Sequence, residues 1–380
     1  MSSLKKIPIV FYHSIGPVLK NWNRNYLTTD ANAFEEHLKY FKKNHTVISL
    51  DDYYNIRSGV LESPKKPLVI TMDDGFLDNW IWAFPLLKKY NLKATIFVIP
   101  EMVDPRNVIR INLEDVWNKK AKEEDLEKTG YMSWNEMSLM EKSGLIDIQS
   151  HTSTHTKYFV SDKLVNFHHK GVDCLYPIGN IFPDKKPYHI VNSDFEALIP
   201  FGTPYFEEKS SVIARKVTIN SEFVNECVNV FKEYDFSNYN FESAYKEVQE
   251  VYRNYQSKNR IVLNTESDED FYNRMSYEIV ESKKEIEKRL NKKIEFLCWP
   301  HGDNSEEVHE IAIRNGYKAT TAGKINSSNE TIERISKRIG YRPYLKNSKL
   351  GFIRLKTLIK EVEGNNTGKL IRKLFKIFKP

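Results

Sequence analysis

Two short stretches of the chain hold side chains that could do chemistry together. Thr71-Met72-Asp73-Asp74-Gly75 sets two adjacent carboxylates at the end of an apolar run, and Ser150-His151-Thr152-Ser153-Thr154-His155 sets two imidazoles four residues apart. Two neutral imidazoles and a carboxylate suit zinc or a similar first-row cation, with positions left open for water and substrate. Neighbouring residues at a strand end point in different directions. One aspartate can therefore bind the cation while the other faces substrate. Alone, the first stretch reads equally as a turn with solvated carboxylates, and the second as a helix start with two surface histidines. Together they point to a metal-activated hydrolase. Phe11-Tyr12-His13 and Cys298-Trp299-Pro300-His301-Gly302 complete the set.

The elements that must position these residues follow from periodicity. Leu68 to Met72 reads as a buried strand. Asp73 and Asp74 then fall at its carboxyl rim, where β/α enzymes keep their chemistry. Leu145 to Gln149 is a strand leading to His151, and the spacing of four predicts a helical turn with both imidazoles on one face. Ile7 to His13 reads as the first strand. Asp30 is expected to cap a helix carrying Phe34, Leu38 and Phe41. Strands are expected over 46–50 and 94–99, with a helix from Leu77 to Tyr90 between them, and Ser133 with Glu136 forms a capping box.

After about residue 160 the rhythm fails. Residues 160–270 are expected to begin loop-like and to end in two helices, near 221–234 and 241–256. The rhythm then returns: a helix over 274–290, a strand over 294–299, a helix capped by Asn304 with Glu307, and a strand over 317–322. The predicted organisation is a catalytic domain of residues 1–160 and 271–345, an insertion subdomain of 161–270 and a C-terminal tail of 346–380. Strands separated by single helices pair in parallel, as a barrel or an open sheet.

The chain has 380 residues, 40% of them hydrophobic, enough for a substantial core. Three widely spaced cysteines, Cys174, Cys227 and Cys298, exclude a disulfide framework and a zinc knuckle. No apolar signal core precedes the first strand, and no stretch is long enough to span a bilayer. A cytoplasmic location is expected, unless a leader has been removed. Net charge is +6, and residues 369–380 carry five basic and no acidic side chains. The remainder is nearly neutral, which argues against a nucleic-acid-binding surface. In that tail Leu370, Ile371, Leu374, Phe375, Ile377 and Phe378 share one helical face. This is the make-up of an interfacial helix on an anionic membrane, with docking on the protein's own surface as the alternative. The membrane reading would place the chain at the inner membrane surface with a lipid-linked sugar as substrate.

Asp-Asp-Gly after a strand, followed by His-Thr-Ser-Thr-His, resembles the polysaccharide deacetylase family, carbohydrate esterase family four. Phe11-Tyr12-His13-Ser14, Ala94-Thr95-Ile96-Phe97-Val98, Ser133-Trp134 and Trp299-Pro300-His301-Gly302 extend the resemblance over residues 5–160 and 275–325. It implies a distorted (β/α)7 barrel in which Asp74, His151 and His155 hold a divalent metal, zinc before cobalt, nickel or iron. It makes Asp73 the general base and places a backbone N–H near His301 at the oxyanion. Two departures stand out. Cys298 occupies the position where well-studied members carry an arginine that orients the base, leaving Arg334 or Arg338 to supply a guanidinium from elsewhere. The late histidine that serves as acid is missing, so His13, with His301 second, becomes the candidate. A subset acting on bacterial poly-N-acetylglucosamine also begins with Tyr-His and lacks the arginine, and the chain is most similar to that subset.

The expected function is removal of an N-acetyl or N-formyl group from an amino sugar, free, in a glycan or lipid-linked, in the assembly of bacterial surface polysaccharide. A catalytically inactive, glycan-binding relative is the alternative. The segment Ile199-Pro200-Phe201-Gly202-Thr203-Pro204-Tyr205-Phe206 in the insertion is expected either to line a sugar-stacking cleft or to pack a subdomain.

Overall fold

The computed structural model describes residues 6–19, 25–169, 171, 175–190, 197–234, 242–325, 331–342 and 347–365. Its strands in chain order are β1 (Ile9–Tyr12), β2 (Ser14–Ile15), β3 (Thr28–Thr29), β4 (Thr46–Ile48), β5 (Pro67–Met72), β6 (Ala94–Val98), β7 (Ile146–Ser150), β8 (Lys157–Phe167), β9 (Pro204–Ser210), β10 (Val217–Ile219), β11 (Val262–Thr265), β12 (Phe296–Leu297), β13 (Ala319–Thr321), β14 (Arg334–Ile335) and β15 (Ile339–Gly340).

Nine of these form one sheet in the order β14-β13-β12-β7-β6-β5-β1-β15, with β4 paired beside the start of β5. Every pairing within it is parallel. This is the expected distorted α/β barrel. Its edge strands β14 and β15 lie at opposite ends of the order yet are successive in the chain, so residues 336–338 bridge the two edges.

Side-chain alternation along the strands explains the layering. Ile9, Ile48, Val69, Phe97, Phe296, Cys298, Ala319 and Ile335 meet in one buried cluster, the filled barrel interior. The alternate residues Val10, Tyr12, Leu68, Ile70, Met72, Ile96, Val98, Ile148 and Leu297 belong to the larger cluster shared with the surrounding helices. Local signals fix several of those helices. Asp30 Oδ1 accepts from the N–H groups of Asn32 (3.0 Å) and Ala33 (3.1 Å) ahead of helix Ala31–Asn44. The Ser133–Glu136 box forms as expected, and Glu136 also takes a buried fork from Arg110, with Nε at 2.8 Å and Nη2 at 2.6 Å.

Elsewhere the structure departs from expectation. The span from Leu77 to Tyr90 is a π-helical turn over Asn79–Ala83 followed by helix Phe84–Tyr90. A second π turn, Tyr277–Glu281, divides what periodicity reads as one helix into Asp268–Ser276 and Ser282–Leu290. Ser305, not Asn304, caps helix Glu306–Arg314, accepting from Val308 N. Residues after 156 do not begin as loop. They form the long strand β8, paired antiparallel with β9. The irregular spacing of apolar residues in β8 reflects two register shifts in that ladder. The two helices read from the sequence occur as Ser221–Lys232 and Glu242–Ser257. With β8 and β9 they bury Phe167, Phe206, Phe223, Cys227, Phe231 and Val248 in a separate cluster.

The segment expected as tail begins with a helix, Ser348–Val362, whose Leu355 and Ile359 are buried in the main core. The amphipathic residues 369–380 and Cys174 lie outside the described residues. Among the described residues no helix is long and apolar enough to cross a membrane.

Candidate active site

Residues 69, 71 and 73 share the inward face of β5 and its extension, so Asp73 enters the mouth of the barrel next above Thr71. Asp74 adopts φ 73°, which turns its carboxylate away from that of Asp73. Gly75 follows at φ 72°, where an added Cβ would lie 3.1 Å from Val98 Cγ1. The Asp-Asp-Gly run thus sends two carboxylates in different directions, as the sequence suggested.

Asp74 Oδ1 lies 3.3 Å from His151 Nε2 and 3.4 Å from His155 Nε2. Two donors each about 2.0–2.2 Å from a tetrahedral ion are separated by roughly 3.3–3.6 Å. The spacing fits a shared cation. Two further observations agree. Asp74 Oδ1 is buried and accepts no hydrogen bond. His151 Nδ1 lies 2.7 Å from the backbone carbonyl of Cys298. A carbonyl only accepts, so Nδ1 carries the proton and the Nε2 lone pair is presented to Asp74. The helical turn expected for the histidines is absent. They sit on an irregular loop in which Thr152 (φ 66°) and His155 (φ 49°) are left-handed, and this loop geometry, not a helix face, brings the rings to 5.0 Å.

Electrostatics sets the protonation. Burial raises the Asp74 carboxyl, but the adjacent imidazoles of His151 and His155 outweigh it and hold it well below the usual range. Burial and then His301 push His155 well down. Burial also lowers His151, yet Cys298 and the two carboxylates outweigh it and leave His151 with a raised proton affinity.

Asp73 is gripped by a guanidinium fork: Arg338 Nη1 donates to Oδ1 at 2.7 Å and Nη2 to Oδ2 at 2.8 Å. Burial raises the Asp73 carboxyl, and Arg338 more than offsets it, keeping the group ionised. Of the two arginines left open by the sequence, Arg338 does this. Arg334 instead pairs with Glu306 (2.8 Å) and Asn304 (3.2 Å). Nothing local distinguishes the two. Arg338 reaches the base because it lies on the bridge that closes the barrel. Cys298 receives its own contact from this arginine, with Nη2 at 3.0 Å from Sγ.

His13 Nε2 stands 4.0 Å from Asp73 Oδ2 on a partly exposed ring. Its backbone carbonyl accepts from Asn79 Nδ2 at 2.8 Å. Asn79 in turn bonds Asp78, which also accepts from Ser14. Sequence reading missed this support. Burial pushes the Asp78 carboxyl up to about 7. The His301 ring lies 4.5 Å from that of His155, tilted 58° to it, with the Tyr176 hydroxyl 3.3 Å from its Nε2. Burial and Lys157 push His301 down to about 4, so at neutral pH the ring is uncharged and a weak acid. His301 is itself left-handed, φ 57°, within the turn Pro300–Gly302.

A cleft of about 780 Å³ opens over these groups. Barrel loops contribute Tyr26, Phe76 and Tyr131 to its walls, and the segment after His155 contributes Phe159, Tyr176 and Tyr205. Of the stretch 199–206, Tyr205 and Phe206 reach the cleft, while Ile199 packs with Ile178.

Residues 61–170 match the family model described as polysaccharide deacetylase. A *Bacillus subtilis* (strain 168) protein named putative polysaccharide deacetylase YxkH is 28% identical over 193 residues, which is 46% of this chain and 57% of that protein. A *Staphylococcus aureus* poly-beta-1,6-N-acetyl-D-glucosamine N-deacetylase is 27% identical over 194 residues, 47% of this chain and 61% of that protein. The match thus spans about three fifths of the length of these curated relatives. Among solved structures, a de-N-acetylase from *Aggregatibacter actinomycetemcomitans* superposes with TM-score 0.53 at 17% identity, covering 92% of this chain and 99% of that one. The BpsB deacetylase domain from *Bordetella bronchiseptica* gives 0.51 at 14%, covering 88% and 96%. Both are similar in fold. The two aspartates and two histidines that meet at the barrel mouth all lie within the residues that match the polysaccharide deacetylase model.

Proposed function

We propose that the protein is a metal-dependent hydrolase that removes an N-acetyl group from an amino sugar. The observation that carries this is the orphaned Asp74 oxygen set 3.3 and 3.4 Å from two imidazole nitrogens, beside an ionised Asp73. Asp74, His151 and His155 would hold the divalent ion, with zinc first and cobalt, nickel or iron as alternatives. Such an ion supplies Lewis acidity, polarising an amide carbonyl and easing ionisation of water.

The chain's own groups do the rest. Asp73, kept charged and oriented by Arg338, takes the proton from the attacking water as general base. His13, within 4.0 Å of that carboxylate, is the acid that protonates the leaving amine. His301, held neutral, lines the site and takes second place as acid. The backbone at the left-handed turn around His301 is the candidate oxyanion donor. The aromatic walls suit sugar rings, which stack on such faces.

The *S. aureus* relative's name, together with its 27% identity, supports a β-1,6-linked N-acetylglucosamine polymer or a related surface glycan as substrate. The test is acetate release from N-acetylglucosamine oligomers by the zinc-loaded protein. Asp73→Asn should reduce turnover at least a hundredfold with zinc still bound. Unchanged turnover in that variant refutes the assignment of the base, and no release from any N-acetylated sugar favours a glycan-binding relative.

A further inference from the structure

We infer that Glu278 is a positioning residue for the loop that carries His151 and His155. The inference rests on the metal-site reading above and concerns what holds that site in shape.

The loop needs holding. Two of its five residues, Thr152 and His155, are non-glycine residues in the left-handed region. Such residues are strained and persist only where their surroundings over-determine them. Glu101 N–H donates to the Ser153 carbonyl at 3.2 Å and Lys186 Nζ lies 3.5 Å from the Thr154 carbonyl, but most of the bonds on the middle of the loop come from one place. Thr154 donates through its backbone N–H to Glu278 Oε2 (3.1 Å) and through its hydroxyl to Oε1 (2.5 Å). Ser153 donates its N–H to the Glu278 carbonyl (3.0 Å) and its hydroxyl to the Tyr277 carbonyl (2.8 Å). Two of the three residues between the histidines, Ser153 and Thr154, are thus tied, by backbone and side chain alike, to two consecutive residues from 124 positions away.

Glu278 is suited to little else. It is fully buried, and among the described residues it makes no ion pair. A buried carboxylate without a cation is costly unless hydrogen bonds satisfy it, and those it has go to this loop. It stands in the π turn Tyr277–Glu281. A π turn inserts a residue and displaces carbonyls from the regular ladder, and here the displaced pair faces Ser153. The far side of the loop is pinned separately, by His151 Nδ1 on the Cys298 carbonyl. Strand β8 starts two residues after His155, so movement of the β8–β9 hairpin would pull on the ligand loop directly. Glu278 isolates the histidines from it.

The experiment is titration of the full, metal-stripped chain with Zn²⁺ alone against a competing chelator, with melting of the metal-free chains measured in parallel. Support residues around metal ligands typically contribute about 10–100-fold in affinity. Glu278→Ala and Thr154→Val should weaken zinc binding by that order. Glu278→Gln keeps one oxygen for the Thr154 N–H and can donate to its hydroxyl, so it should recover most of the affinity. If Glu278→Ala does not fold, Thr154→Val, which removes a single hydroxyl, carries the test. Zinc binding as tight as wild type in Thr154→Val or Glu278→Ala, with only the melting temperature lowered, overturns the inference and leaves the proposed function standing. A wild-type chain that binds no zinc overturns both.

Discussion

Asp73 and Arg338 show how one buried contact can serve stability and chemistry together. The carboxylate is nearly inaccessible, and its charge is balanced by a two-bonded guanidinium. Removing one partner of such a pair leaves an uncompensated buried charge and typically costs about 3–5 kcal/mol. Arg338→Met should lose stability of that order in chemical denaturation. Burial then acts on Asp73 opposed only by His151 and His13, so the acidic limb of the rate profile should move to higher pH. Arg338→Lys, a point charge without the planar fork, should fall between the two.

Asp78 makes a separate prediction. Burial raises its folded-state pKa from the ordinary 3.8 to about 7. Between those values the folded state binds the extra proton, so this group's contribution to stability is present at low pH and declines as pH rises from about 4 to 7. Asp78→Asn removes that decline. The unfolding free energy of the variant relative to wild type should therefore increase across this window, and a flat difference would show that Asp78 does not titrate there.

At the scale of elements, the helix Ser348–Val362 belongs to the barrel's packing. Leu355 and Ile359 are buried in the same cluster as Phe34, Leu38 and Phe41 of the Asp30-capped helix. Leu355→Ala should cost about 2–5 kcal/mol, the range for deleting a fully buried leucine side chain, read as a lower denaturant midpoint. The two π turns have a common placement. One supports the strand end that carries His13 through Asp78 and Asn79, and the other meets the histidine loop. Such turns in otherwise helical spans are frequent at functional sites.

At the scale of the whole molecule, three chain regions must meet before the site exists: residues 73–74, residues 151–155 and the bridge at 338. A cation bound only by the assembled site stabilises the fold by mass action, about 2.7 kcal/mol at a free concentration one hundred times its dissociation constant. Zinc should therefore raise the melting temperature, and chelation should reverse the rise. Because Cys298, Asp74 and Asp73 outweigh burial and raise the proton affinity of His151, metal and proton compete for its Nε2. The zinc-induced rise should shrink as pH falls, which calorimetry at several pH values will show.

The sequence by itself determined the chemistry-bearing residues and the α/β frame. Period-two apolar runs ending in Asp73-Asp74 and His151 are local facts, and so are the Asp30 and Ser133 caps. Local pattern could not choose between Arg334 and Arg338, because both are basic residues near short strands. Barrel closure decided between them, placing 336–338 across the seam and Arg338 over Asp73. Local pattern also misread the histidine pair as a helix start and β8 as a loop. In each case contacts from residues far along the chain, Cys298 and Glu278 on the loop and β9 on the strand, outweighed the weak local preference of a polar segment.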